Sequence, residues 1–309
     1  MEKLIKGLHH VTSMAADAKV NNHFFTDTLG LRRVKKTVNF DAPEVYHLYY
    51  GDEVGTPGSV MTYFPFGQMP QGARGIGEVG TTEFAVPIGS LPFWEKRLAE
   101  KGVTGLASSS TFGEARLSFD GPDGDGFALV EAEPEGRTAW HTSDVSESEG
   151  ILGFHGARFR LRDADATGEL LHFMGYERVE KDQGVTRYLI DGGNAARTID
   201  LEEIPDGRHA QQGAGSVHHI AFAVEDRAAQ LKVRQALMDT GYQVTPVIDR
   251  DYFWAIYFRT PGGVLFEIAT NEPGFDRDED TRNLGETLKL PERYRPYRDQ
   301  IEKRLPELA

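Results

Sequence analysis

The chain repeats one pattern four times, and this repeat limits its fold more than any other feature of the sequence. Each unit has a short apolar strand, an amphipathic helix ending in Gly plus an apolar residue, and then sequence rich in strand formers. The first strands read LHHVTSMA, VGTTEFAV, FHGARFRL and VHHIAFAV, and the helices end at Gly30, Gly102, Gly175 and Gly241. Glycine suits the left-handed residue that follows a helix. The sequence therefore predicts four copies of one strand–helix–strand module.

The spacing and the helix faces support this division. The second residue of each HH-like pair lies 19 to 22 residues before the closing Gly of its unit; these residues are His10, Thr81, Gly156 and His219. Apolar residues recur at helical spacing in each unit, for example Val20, Phe24 and Phe25 in the first and Leu231, Val233 and Leu237 in the fourth.

Turn formers mark the closing strands of three units, at 56–64, 121–132 and 260–270. The third unit ends in RTIDLEEI without such a turn, so its register stays open. We predict an N-terminal half of two modules at 1–140 and a C-terminal half of two modules at 150–270. A linker, PEGRTAWHTSDVSESEG, separates the halves, and a charged tail with a short helix follows at 271–309.

Composition excludes several classes of protein. The 309 residues contain no cysteine, which rules out disulfides, thiolate metal sites and cysteine nucleophiles. A net charge of -14 argues against nucleic acid as a partner. The longest apolar runs are too short for a membrane span, and the start lacks an apolar run of signal-peptide length. A cytoplasmic protein is expected, and an acidic surface of this kind favours a homo-oligomer.

Histidines are the first candidates for a metal site. The first and fourth units both carry a pair at the same strand position, His9-His10 and His218-His219. Neighbouring strand residues point to opposite faces, so we expect one histidine of each pair to face a shared cavity. We assign His10 and His219 to that face, because the second position of the pair is not histidine in the other two units. For a single pair, a core or surface histidine would be the better interpretation.

A carboxylate completes the candidate site. Glu267 lies six residues after Pro261, and the same offset gives Tyr63 in the first unit and Ala128 in the second. Glu267 lies within the apolar strand VLFEIA, where a lone carboxylate would be costly without a metal or a cation. A structural salt bridge is the alternative. Two imidazoles and one carboxylate match the facial triad of non-haem Fe(II) oxygenases, with tetrahedral zinc as the competitor.

These segments together resemble a known family. The residues LHHVT at 8–12, LGLRRVKKTVNFD at 29–41, YHLYYGDEVGTPGSVMTYFPF at 46–66, VHHIAFAV at 217–224 and YFRTPGGVLFEIAT at 257–270 are similar to hydroquinone-type ring-cleaving dioxygenases of the vicinal-oxygen-chelate superfamily, as are GFDRDED and LGETLKLP in the tail. The resemblance implies an α+β fold of four βαβββ modules paired into two open, cup-shaped β-barrels. It also implies that the first and fourth modules build the active cup and that His10, His219 and Glu267 bind Fe(II), with Mn(II) as an alternative.

The resemblance further implies an enzyme that opens a small aromatic diol with O2, hydroquinone being preferred to catechol. Its role is either aromatic compound catabolism or the removal of toxic quinols, and the sequence leaves both open. By the same resemblance, Arg250 would stabilise an anionic oxygen and Tyr257 would hydrogen-bond the ring hydroxyl or an intermediate. His218 would orient groups or carry a proton. As alternatives, Tyr257 is a core aromatic and His218 an outward strand residue. We expect Tyr63, Phe64 and Phe253 in the cavity wall.

Two other functions share this fold. A glyoxalase-type isomerase usually needs a fourth protein ligand with zinc or nickel, and Tyr63 at the fourth position disfavours it. A metal-free binding protein is disfavoured by the ligand set itself.

Overall fold

The computed structural model describes residues 3–308 and contains four modules of the predicted kind. The first comprises β1 Ile5–Ala15, α1 Ala18–His23, β2 Arg32–Val38, β3 Tyr46–Gly51 and β4 Val60–Pro65. The second comprises β5 Glu78–Pro87, α2 Leu91–Glu100, β6 Ala107–Thr111, β7 Glu114–Asp120 and β8 Gly126–Ala132. The third comprises β9 Gly153–Leu161, α3 Asp165–Phe173, β10 Glu177–Asp182, β11 Val185–Leu189 and β12 Thr198–Glu203. The fourth comprises β13 Val217–Val224, α4 Arg227–Asp239, β14 Ile248–Asp249, β15 Phe253–Arg259 and β16 Leu265–Pro273.

Local sequence explains where the helices begin and end. Asp17 and Asp226 cap α1 and α4, each accepting a hydrogen bond of 2.8 Å from a backbone N–H three residues on. The four predicted closing glycines all have positive φ, between 68° and 101°. Helix α1 continues as a π-helical turn at Phe24–Thr28. Our prediction for two helix faces was partly wrong, since Val20 and Leu231 are about half exposed.

The strands form two curled eight-stranded sheets, which confirms the predicted α+β fold. The first sheet has the order β14-β15-β16-β13-β1-β4-β3-β2 and combines the first and fourth modules. The second sheet has the order β10-β11-β12-β9-β5-β8-β7-β6 and combines the second and third. In each sheet the first strands of the two modules pair antiparallel at the centre. Each sheet therefore takes one module from each half of the sequence.

The two faces of the first sheet differ in side-chain size. Ile220, Phe222, Phe266 and Ile268 point to the face covered by α4 and join the main core with Val233 and Leu237. The opposite face carries alanines at 221, 255 and 269. Because side chains alternate along a strand, this pattern packs one face tightly and leaves a hollow on the other.

The remaining chain runs along the edges of this framework. Residues 134–150 connect β8 to β9 through turns and bends. The C-terminal part forms 3-10 turns at Phe275–Asp278, Thr281–Asn283 and Glu292–Tyr297, and then α5 at Arg298–Glu302. Within residues 3–308, none of the helices is long and apolar enough to cross a lipid bilayer.

Candidate metal centre

Three buried side chains converge in the hollow of the first sheet. His10 comes from β1, His219 from β13 and Glu267 from β16, and these strands are direct neighbours. His10 Nε2 lies 3.4 Å from His219 Nε2 and 3.3 Å from Glu267 Oε2. His219 Nε2 lies 2.8 Å from the same carboxylate oxygen. Within the described part of the chain, this is the one group of three or more His, Asp or Glu side chains close enough to share an ion.

The residues fit a divalent cation. Ligand atoms about 2.1 Å from one ion are about 3 Å apart at right angles and about 3.4 Å apart in a tetrahedron, and the three observed separations span that range. Glu267 is fully buried, yet neither carboxylate oxygen has a hydrogen bond of acceptable geometry in the described structure. Burial alone would raise the pKa of Glu267, but the imidazoles of His10 and His219 lower it well below its usual value. The carboxylate is thus ionised and lies beside two imidazoles that can share a cation with it.

A neighbouring histidine orients each of the two imidazoles. His9 Nδ1 lies 2.9 Å from His10 Nδ1, and His218 Nδ1 lies 2.8 Å from His219 Nδ1. If the Nε2 atoms of His10 and His219 bind a cation, their Nδ1 atoms carry the protons and donate to the neighbours. His9 then keeps its proton on Nε2, which lies 3.1 Å from the carbonyl oxygen of Thr270. This contact fixes the tautomer of His9, and through it the tautomer of His10.

We expected one histidine of each pair to face the cavity in front of the three residues, called the metal cavity below. The first pair agrees, because His10 lines this cavity and His9 lies outside it, against Phe253. The second pair differs, because His218 and His219 both line the cavity. The pairing of β13 with β1 is irregular at this point, because the register shifts between Thr12 and Ser13. In a strand with such an irregularity, neighbouring side chains do not strictly alternate between the two faces of the sheet. Burial, assisted by the charge on His219, lowers the pKa of His218 to about 4, so this imidazole is neutral near pH 7.

The cavity in front of the three residues has a volume of about 300 Å³. All three further candidates, His218, Arg250 and Tyr257, line it. Arg250 Nε donates a hydrogen bond of 3.2 Å to the hydroxyl oxygen of Tyr257, which leaves the tyrosine hydrogen free for another acceptor. Burial raises the pKa of Tyr257 well above its usual value, and the charge on Glu267 adds to this effect.

Aromatic side chains form much of the remaining wall. Phe64 and Phe253 lie there as predicted, together with Phe40 and Phe66. The prediction for Tyr63 was wrong. Tyr63 points to the other face of the sheet, where it packs in the main core and donates a hydrogen bond of 2.6 Å to Asp125.

Strand register also corrects the assignment of equivalent positions. Glu267 pairs with Ala221, which lies two residues after His219. In the first module the residue two after His10 pairs with Thr62, so Thr62 and not Tyr63 is the counterpart of Glu267. In the third module the residue two after Gly156 pairs with Asp200. The fourth unit is therefore not alone in offering a carboxylate at this position.

The carboxylate of Asp200, however, is surrounded by arginine side chains. It is fully buried and accepts two hydrogen bonds of 2.9 Å from Arg187, while Arg116 and Arg158 lie within 4 Å. Arg116 also pairs with the buried Glu83. The second sheet thus has Thr81 and Gly156 in place of the two histidines, and guanidinium groups satisfy its carboxylates.

Sequence reasoning missed His47. Its ring lines the cavity, Tyr49 Oη lies 2.8 Å from Nδ1, and Nε2 lies 2.9 Å from Thr62 Oγ1. Burial lowers the pKa of His47 well below its usual value, so the ring is neutral. A lone histidine in YHLYY gives no signal without knowledge of the strand pairing. His9 was missed as an orienting group for the same reason.

Comparison with known proteins places the chain in a family. Residues 7–268 match the Glyoxalase/Bleomycin resistance protein/Dioxygenase superfamily. The chain belongs to this superfamily. Membership confirms the resemblance inferred from the sequence and agrees with the paired modules of the two sheets.

Three relatives extend over nearly the whole chain. A Bacillus subtilis (strain 168) protein named "Putative ring-cleaving dioxygenase MhqO" is 45% identical over 306 residues, which cover 99% of this chain and 97% of the relative. The "Chlorohydroquinone/hydroquinone 1,2-dioxygenase" of Sphingobium indicum is 34% identical over 307 residues, 96% of this chain and 95% of the relative. A crystal structure of a "putative dioxygenase from Bacillus subtilis subsp. subtilis str. 168" has a TM-score of 0.95 and 44% identity, covering 100% of this chain and 99% of that one.

Proposed function

We propose that this protein is a ring-cleaving dioxygenase that opens a dihydroxylated aromatic ring with O2, using a non-haem Fe(II) bound by His10, His219 and Glu267. The observation that carries the proposal is the convergence of these three buried donors at the end of an aromatic-lined cavity. The names of the relatives support the reaction class, and one of them names hydroquinone as its substrate. Mn(II) accepts the same donors and is the alternative ion.

Fe(II) would supply activation of a coordinated ring hydroxyl and electron transfer between the ring and O2. His10, His219 and Glu267 would hold the ion at one end of the cavity, next to the space for the substrate. The phenyl rings of Phe64 and Phe253 face the same cavity and would hold the substrate ring by aromatic contact.

Three polar side chains would act on the substrate. The hydroxyl of Tyr257 would donate a hydrogen bond to an oxygen of the ring, and the Arg250 guanidinium behind it would stabilise negative charge there. His218, which accepts from His219 at Nδ1, would present Nε2–H to the cavity and hydrogen-bond the second oxygen or carry a proton. We assign these three residues catalytic roles in the proposed reaction.

The test is oxygen uptake by anaerobically Fe(II)-loaded protein with a panel of hydroquinones and catechols. We expect stoichiometric oxygen consumption with at least one hydroquinone, and loss of that consumption in Glu267→Gln. A glyoxalase-type isomerase would instead bind zinc or nickel and work without oxygen. Oxygen-independent turnover with zinc or nickel, or no consumption with any diol, would overturn the proposal.

A further inference from the structure

A second cavity continues from the metal cavity along the same face of the first sheet. It has a volume of about 320 Å³ and shares His218 and Gln212 with the first cavity. Moving two residues along each of three strands leads from one cavity to the other. The first cavity is lined by His219 on β13, Tyr257 on β15 and Glu267 on β16. The second cavity is lined by the residue two positions away on each strand: Val217, Arg259 and Leu265.

The register of β15 and β16 places their four residues in two rows. Tyr257 pairs with Glu267, and Arg259 pairs with Leu265. On β13, Ala221 and not His219 pairs with Glu267, so that strand is offset from the rows. Side chains two residues apart share a face, and the rows lie about 7 Å apart. A ligand held at the metal end of the groove could therefore extend a ring substituent into the row that contains Arg259.

Arg259 lines this second cavity, and its guanidinium group is not neutralised by a carboxylate in the described structure. In the described structure its hydrogen bond goes to the carbonyl oxygen of Gly263, at 3.0 Å, and it has no ion pair with a carboxylate. Arg259 and His218 both line this cavity, and His218 also lines the first one.

The other charged group in the cavity wall does not compete for Arg259. Glu78 is buried, and its Oε1 accepts a hydrogen bond of 2.9 Å from the backbone N–H of Gly75. The same oxygen lies 3.3 Å from Arg74 Nε and 3.6 Å from Arg160 Nη1. Its charge is already balanced by two guanidinium groups. Two histidines also line this cavity: His218, which is shared with the first cavity, and His209, which is exposed.

We propose that Arg259 forms a subsite for an anionic substituent, a carboxylate above all, on the aromatic ring of the substrate. The subsite rests on the proposed function for the identity of the ring. Guanidinium binds carboxylate in two parallel hydrogen bonds, which adds geometric selectivity to charge attraction. The subsite therefore selects substituted rings by the charge of the substituent.

Binding measured by calorimetry without oxygen tests the subsite independently of turnover. The probes are a hydroquinone bearing a ring carboxylate and its uncharged methyl ester, each titrated into metal-loaded protein. We expect Arg259→Gln to weaken binding of the carboxylate about five- to tenfold and to leave the ester within about twofold. Arg259→Lys should retain part of the preference, because it keeps the charge. Arg178→Gln, an exposed arginine on β10 in the second sheet, is the matched control and should change neither affinity.

The outcomes separate this inference from the proposed function. Equal weakening of both probes in Arg259→Gln, or no change in either, would overturn the subsite, as would wild-type protein that prefers the ester. Oxygen uptake with an uncharged hydroquinone would still support the dioxygenase in that case. Selective loss of carboxylate binding in a protein that consumes no oxygen would instead support the subsite and count against the reaction.

Discussion

Two histidines orient the candidate ligands through the same contact on both sides of the site. His9 and His218 each meet the Nδ1 atom of the following histidine at 2.9 and 2.8 Å. The two pairs differ in the surroundings of the first histidine, His9 or His218. His9 is anchored by the carbonyl oxygen of Thr270, whereas His218 faces the cavity. The arrangement assigns orientation to His9 and leaves His218 available to the substrate.

Replacing His9 should weaken metal binding without removing a ligand. In His9→Phe, His10 loses the group that fixes its tautomer, and we expect the dissociation constant for Fe(II) to rise about 10- to 100-fold. The measurement is an anaerobic titration, with thermal unfolding of the metal-free protein recorded in parallel. His172→Phe, which changes an exposed histidine on α3, should leave the constant unchanged. A fall in thermal stability with an unchanged constant would show that His9 has only a packing role.

Tyr257 should matter for turnover more than for metal binding. Tyr257→Phe keeps the ring but removes the hydroxyl that bonds to Arg250 and faces the cavity. We expect kcat to fall about 100-fold with metal content unchanged, within the range for loss of a positioned proton donor. Tyr242→Phe, which lies outside the metal cavity, serves as the control. Equal kcat values for wild type and Tyr257→Phe would contradict the role.

At the scale of elements, the segment after β16 supports one wall of the site. Phe275 packs against Tyr49, Tyr252 and Phe253, and Phe253 in turn contacts the ring of His10 at 4.9 Å between centroids. Lys35 on β2 holds the same segment. Its Nζ lies 2.8 Å from Asp278 and 2.5 Å from Glu279, and Lys35 itself is fully buried. The charged tail therefore has a structural partner inside the fold.

Removing the Lys35 charge should loosen this segment. Lys35→Met removes the buried cation that Asp278 and Glu279 share and leaves Glu279 with Lys289 at 3.9 Å. Loss of one partner of a buried ion pair costs about 3–5 kcal/mol. We expect the free energy of unfolding in urea to fall by about that amount. Lys36→Met changes the next residue, which is only half-buried, and should cost much less. Similar losses for both variants would contradict a specific role for Lys35.

Strand register marks the limit of sequence reasoning at this scale. In the first module Val11, which follows His10, pairs with Met61, four residues after Pro57. In the fourth module Ile220, which follows His219, pairs with Phe266, five residues after Pro261. The turn in the fourth module is one residue longer, so counting from proline placed Tyr63 where Thr62 lies. A shift of one residue moves a side chain to the opposite face. For the same reason, Asp200 could not be placed from RTIDLEEI alone.

At the scale of the whole molecule, two similar sheets have different interiors. The four modules, the positive-φ glycines and the convergence of His10, His219 and Glu267 were predictable because they depend on repeats within the chain. The arginine cluster around Asp200 was not, because it joins side chains from β7, β9, β11 and β12 that share no motif. The second sheet thus contains internal ion pairs at the position where the first sheet has its three candidate metal ligands.

The ion pairs of the second sheet should make stability depend on pH. Burial opposes ionisation of Glu114, but His155, Arg187 and Arg116 surround it and its pKa is lowered from 4.5 to about 2. A lowered pKa in the folded state gives stability that is present above about pH 4.5 and is lost as the pH falls through about 2. We expect the difference in unfolding free energy between wild type and Glu114→Gln to shrink over that window.

Urea unfolding at several pH values between about 6 and 2 measures this difference. Glu95→Gln replaces an exposed glutamate on α2 and should differ little from wild type at any of them. A difference for Glu114→Gln that stays constant over the whole window would show that its ion pairs do not contribute as argued.

Anaerobic calorimetric titration with Fe(II) tests the central claim most directly, because it measures the proposed site itself. We expect one ion per wild-type chain, with binding that is weakened at least 100-fold in Glu267→Gln, since that variant keeps the shape of the side chain and removes its charge. Asp200→Asn, the matching change in the second sheet, should still bind one ion with wild-type affinity. Wild-type affinity in Glu267→Gln would contradict the account.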